Sequence, residues 1–141
     1  MPRINVPKVL LGGLAAGLVA NAIDYVINAY LLANEMQEMV QRLNLRADMV
    51  ERSMWTWMGF DFVYGFLVVF AYAAMRPRFG PGPTTALIAG LCFWVGFTAL
   101  FAALTAMGLY TDAAFIKGAV FTLASSLVPA LVGGAIYKED E

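Results

Sequence analysis

Along the chain, apolar residues form four long runs, near Val9 to Leu32, Trp55 to Met75, Thr84 to Met107 and Ala113 to Tyr137. The charges gather outside them, at Arg3 to Lys8, Glu35 to Arg52, Arg76 to Arg78 and Lys138 to Glu141. Each run reaches the roughly 20 residues that a helix rising about 1.5 Å per residue needs to cross about 30 Å of hydrocarbon. Strand-like alternation is absent, and backbone in lipid must be satisfied within its own segment, so the runs predict transmembrane helices. The expected fold is all-α, an integral membrane four-transmembrane-helix bundle, as one domain over residues 1–141. Arg3 and Lys8 before the first run, with Ala20-Asn21-Ala22 inside it, have the form of a signal peptide, but the run continues to Leu32 and is read as a retained span.

The connections differ in kind. From Asn34 to Ser53, Met36, Met39, Val40, Leu43, Ala47 and Val50 recur at helical spacing opposite Glu35, Glu38, Arg42 and Arg46. This predicts an amphipathic helical connection on the membrane surface or capping the bundle; a simple extension of the first span into water fits equally. The stretch Arg76-Pro77-Arg78-Phe79-Gly80-Pro81-Gly82-Pro83 is punctuated by proline and glycine, so it predicts a tight turn with spans two and three as antiparallel neighbours. Lys and Arg near the span ends number five on the side of the termini (Arg3, Lys8, Arg76, Arg78, Lys138) and four opposite (Arg42, Arg46, Arg52, Lys117), which tilts toward cytoplasmic termini.

Composition narrows the function. Hydrophobic residues make up 61% of the chain and charged residues 13%, against about a quarter charged in ordinary soluble domains. With a formal net charge of -1 and no basic stripe, nucleic acid is not an expected partner. Histidine is absent, which removes imidazole bases and histidine-ligated metals, and the single cysteine, Cys92, lies in an apolar run and is read as a packing residue. Met36, Met39, Met49, Met54 and Met58 cluster near the first connection; thioethers suit copper(I), but flexible apolar filler is the commoner use, so neither a metal nor a cofactor is expected. Trp55, Trp57, Tyr30 and Tyr110 fit an aromatic belt. No nucleophile and base fall at a meaningful spacing, so a catalytic site is not expected.

Small residues mark where helices approach. Gly12, Gly13, Ala16, Gly17 and Ala20 predict close packing of the first helix, with Gly13 and Gly17 as the helix-packing pair or an oligomer contact. Gly90 with Gly96, and Ala130 with Gly134, offer similar patches, and Pro129 predicts a local kink whose freed carbonyls Ser125 and Ser126 could satisfy.

Ionisable residues inside spans cost roughly 2.5 to 3.5 kcal/mol each on insertion scales, so Asp24, Asp61 and Lys117 should face the interior or water. At about 1.5 Å per residue, Asp24 lies about 12 Å from Leu32, Asp61 about 9 Å from Trp55 and Lys117 about 6 Å from Ala113, so all three can meet at one level. Asn21 and Asn28 share the Asp24 face, while Tyr64 and Thr98 lie nearby, which makes an intramembrane polar site from these seven residues possible. Lys117 bridging the two aspartates in a structural network is one reading; a surplus carboxylate serving as a proton or cation site is another; snorkelling of Lys117 to water is a third.

The segments Ala89-Gly90-Leu91, Trp94-Val95-Gly96-Phe97-Thr98-Ala99 and Gly133-Gly134-Ala135-Ile136-Tyr137 resemble a family of small four-span bacterial membrane proteins catalogued as a domain of unknown function. The resemblance implies the bacterial inner membrane and carries no functional assignment. The leading expectation is a non-catalytic accessory or scaffolding subunit that packs as a homo-oligomer or against a larger membrane complex in the lipid bilayer. The alternative is a small oligomeric proton- or cation-coupled carrier or channel that uses Asp24 and Asp61.

Overall fold

A computed structural model describes residues 4–137, and among them there is no strand. Arg3 and Lys138, counted above for orientation, lie outside the described residues. Helix α1 (Val6–Val26) opens under Asn5, whose Oδ1 accepts from the Lys8 N–H at 3.1 Å, with Pro7 where no intrahelical N–H is needed. It passes through Ala20–Ala22 unbroken and closes in a π-helical turn, Ile27–Leu31, in which the Leu32 N–H reaches the Ile27 carbonyl at 2.8 Å. The remaining helices are α2 (Ala33–Arg42), α3 (Ala47–Phe79), α4 (Pro83–Ala106) and α5 (Asp112–Ile136). All but α2 are long and apolar enough to cross a membrane.

The first connection is not one helix over 34–53. It breaks at residues 43–46, where Asn44 takes a positive φ of 48°, a conformation asparagine tolerates better than most residues. From Ala47 the chain belongs to α3, which begins eight residues before Trp55 and ends four after Met75. No glycine or proline interrupts Ala47 to Thr56, so the helix of the span propagates outward. At its other end, Arg76, Pro77 and Arg78 are the last turn of α3 rather than a turn in the connection. The two arginines suit the negative end of the helix dipole, and termination falls to Gly80 at φ 82°. The true connection is residues 80–82, pinned by Thr85 Oγ1 donating to the Gly80 carbonyl at 2.7 Å.

Helices α1 and α4 occupy opposite corners of the bundle, each packed against α3 and α5. The α1–α3 seam is nearly backbone on backbone: a Cβ on Gly13 would lie 2.9 Å from Phe66 Cα, and one on Gly17 would lie 2.8 Å from Phe62 Cα. The Gly13–Gly17 face is therefore covered within the chain. Gly12 meets Gly133 of α5, and Gly90 sits beside the Ser126 carbonyl, whereas Gly96 faces open space and is not a packing residue. Cys92 is exposed on α4, so it does not pack in the core as expected. The α3–α4 seam is filled by rings instead of close backbones, with Phe60 to Phe97 at 5.5 Å, Tyr64 to Phe93 at 5.6 Å and Trp57 to Phe101 at 6.3 Å between centroids.

The described ends of the chain meet on one side: the Asn5 N–H donates to Tyr137 Oη at 3.2 Å, and the Arg76 guanidinium lies over the Tyr72 and Tyr137 rings. This is the terminal side; α2 and residues 107–111 mark the opposite, loop side. Around the bundle Leu10, Leu18, Val63, Leu67, Val95, Leu100 and Val120 point outward, an apolar exterior suited to a bilayer. The protein is membrane-embedded.

Candidate functional site

Asp24 on α1 and Asp61 on α3 come from helices held together by the glycines at Gly13, Gly17 and Gly65, so the seam that admits them is narrow. Their carboxyls face each other in direct side-chain contact, and the Ser125 side chain of α5 is the other neighbour of Asp24. Asp61 is 6% exposed. Asp24 is half-buried, and its Oδ1 is covered and accepts no hydrogen bond.

Tyr64 closes one flank. Its hydroxyl donates to the Ser126 carbonyl at 2.5 Å, tying α3 to α5 within electrostatic range of Asp24. Pro129 lacks the N–H that would bond the Ser125 carbonyl, so α5 carries an acceptor without its intrahelical donor at this level. Ser125 Oγ donates to the Thr122 carbonyl at 3.2 Å, and the Ser126 carbonyl is served by Tyr64; the serines do not fill the gap in the way the sequence suggested. The centre is thus rich in oxygen acceptors, with the Ser125 hydroxyl placed between the Thr122 carbonyl and the Asp24 carboxyl.

Lys117 is not part of it. Its ammonium pairs with the Glu35 carboxylate of α2, on the loop side, so it neither bridges the aspartates nor snorkels unpartnered. Among the described residues no Lys or Arg forms an ion pair with Asp24 or Asp61. Asn21 Nδ2 donates to the Gly17 carbonyl at 3.0 Å and across to the Met58 carbonyl at 3.2 Å, so it clamps α1 to α3 rather than bonding the carboxyls. Asn28 bonds the Asp24 backbone carbonyl at 2.8 Å, and Thr98 is half-buried on α4 without a hydrogen bond to the pair among the described residues. Of the seven residues expected to converge, Asp24, Asp61 and Tyr64 do so.

One residue beside the pair, Ser125, and one that draws Lys117 away from it, Glu35, are not among the seven. The signal for Ser125 is its position one turn before a mid-span proline, where backbone acceptors come free. The signal for Glu35 is its place in the first turn of an amphipathic helix directly following the first span. Among the described residues no cluster of three or more His, Cys, Asp or Glu could hold a metal ion. No family model, curated protein or solved structure matches the chain, and the functional reading rests on this geometry.

Proposed function

We propose that the protein is a small carrier or channel that takes a proton or a small monovalent cation at the Asp24–Asp61 pair, from a bacterial inner membrane in which both termini are cytoplasmic. The observation that carries this reading is a contact between two carboxyls on adjacent spans with no cationic side chain paired to either among the described residues. Two carboxylates side by side in a medium of low dielectric repel strongly, and a proton or a cation held between their oxygens removes that repulsion. Covered, undonated Asp24 Oδ1 and the acceptors of α5 around Pro129 extend the same oxygen-lined centre. The accessory reading loses one of its motives, because the Gly13–Gly17 face is occupied by Phe62 and Phe66 of the same chain.

A ligand that binds the folded state raises its stability in proportion to the logarithm of its concentration over its dissociation constant. Thermal unfolding of the protein in nanodiscs, titrated with acid or with lithium, sodium or potassium chloride against choline chloride, is expected to show a saturable rise in Tm for at least one ion. That rise should vanish in Asp24→Asn and in Asp61→Asn. Equal responses in the native protein and both variants would dispose of the site.

A further inference from the structure

The loop-side end of the bundle is crossed by α2. The helix leaves α1 at Leu32, and its last turn reaches the far corner of the bundle, where Arg42 Nη1 donates to the Gly108 carbonyl at 2.6 Å and Nη2 to the Leu109 carbonyl at 2.7 Å, just past α4. Since α1 and α4 stand at opposite corners, a helix that leaves α1 and reaches the end of α4 through Arg42 runs from one corner toward the other on the loop side. On the way Glu35 pairs with Lys117 in the second turn of α5. Glu35 and Arg42 are seven residues apart, two helical turns, so both contacts issue from one face of α2.

This helix is fastened differently from the others. No residue of α2 is buried, whereas every spanning helix buries several. Met36, Met39 and Val40 are half-buried, and the specific contacts across the bundle are polar: an ion pair with a half-exposed lysine and a guanidinium fork on two loop carbonyls. The lysine is half-exposed and the loop carbonyls lie at the surface, while the Glu35 side chain is 11% exposed, so the latch opens from its lysine and arginine ends, where water can take their place. Both ends of α2 are also places where helical geometry is broken. The π-helical turn Ile27–Leu31 adjoins it on one side and residues 43–46, with Asn44 at φ 48°, on the other. Asp24 lies three residues before the π turn, on the same helix.

We infer that α2 is a hinged cap over the loop-side approach to the Asp24–Asp61 pair, latched shut by Glu35–Lys117 and by Arg42 on the Gly108 and Leu109 carbonyls. Release of both latches lets the helix swing on the π turn and the 43–46 connection and admits water and ions from that side. The ion-carrying role of the pair is taken from the reading above; the cap itself is a statement about access.

Access can be measured without touching a carboxyl. In a Cys92→Ser background, Ser125→Cys places a thiol beside Asp24, and its reaction with a membrane-impermeant cationic methanethiosulfonate reports water reaching that level from the loop side. Thr122→Cys, one turn nearer the loop side, is the second reporter in case the first perturbs folding. The native cap should give slow labelling, the Glu35→Gln/Arg42→Gln pair at least a tenfold faster rate, and the charge exchange Glu35→Lys/Lys117→Glu, with Arg42 kept, the slow rate again. Rates that are equal in all three, including no reaction in any, would overturn the cap. Faster labelling in a protein whose Tm ignores every ion would uphold the cap and remove the ion reading; ion-dependent Tm with equal labelling would do the reverse.

Discussion

At the scale of single residues, the decisive feature is which charge pairs with which. Asp24 and Asp61 were legible as one level in the membrane because helical rise is fixed, so counting from the span ends places each carboxyl to within about a turn. Lys117 was not assignable in the same way: a four-carbon stem reaches several partners, and Glu35 lay in a segment whose path over the bundle no residue count reveals. The consequence for Glu35 is testable. Its carboxyl lies outside the spans, and the hydrogen bond from Lys117, with a smaller contribution from its own backbone, holds it below the ordinary glutamate value of 4.5. Because its value is lowered in the folded protein, the latch is fully present above 4.5 and is lost as the pH falls through the lower folded value. Carbon-13 NMR of labelled glutamate should therefore find Glu35 titrating below 4.5 in the native protein and moving upward in Lys117→Ala. A native value at or above 4.5 would mean that the pair does not persist in solution.

At the scale of elements, apolar runs of span length announced the four crossing helices, whose existence depends on burial in lipid more than on local propensity. Their ends were less readable. Helix α3 runs on past Trp55 toward Ala47 because nothing in that stretch stops a helix, and past Met75 through Pro77 because a proline in the last turn removes only one hydrogen bond. The amphipathic period of the first connection continues across residues 43–46, so periodicity alone could not separate α2 from α3. Small residues, by contrast, were informative in proportion to their neighbours: Gly13 and Gly17 lie against Phe66 and Phe62, while Gly96 meets nothing. Introducing a side chain into such a seam forces the backbones apart at a cost of about 1 to 3 kcal/mol. Gly13→Ala and Gly17→Ala should each lower unfolding stability in mixed micelles by that amount, with Gly96→Ala neutral or slightly stabilising through better helix propensity. Equal effects at all three positions would mean that the α1–α3 seam is looser than described.

At the scale of the whole molecule, the apolar exterior, the short connections and the polar centre belong to one arrangement. Lipid covers the outside, aromatic rings fill the α3–α4 seam, and the oxygens of α1, α3 and α5 are enclosed between them with the cap across one end. Architecture of this kind serves many roles, so the burden of the functional claim falls on the two carboxyls and on nothing broader. The most direct measurement is flux into liposomes containing the purified protein, with an imposed proton gradient or sodium gradient and an internal fluorescent reporter. The account predicts protein-dependent movement of at least one of these ions, reduced at least tenfold by Asp24→Asn and by Asp61→Asn in proteins that retain native helical content and melting behaviour. Protein-dependent flux that survives both substitutions, or native protein that carries neither ion, would contradict it.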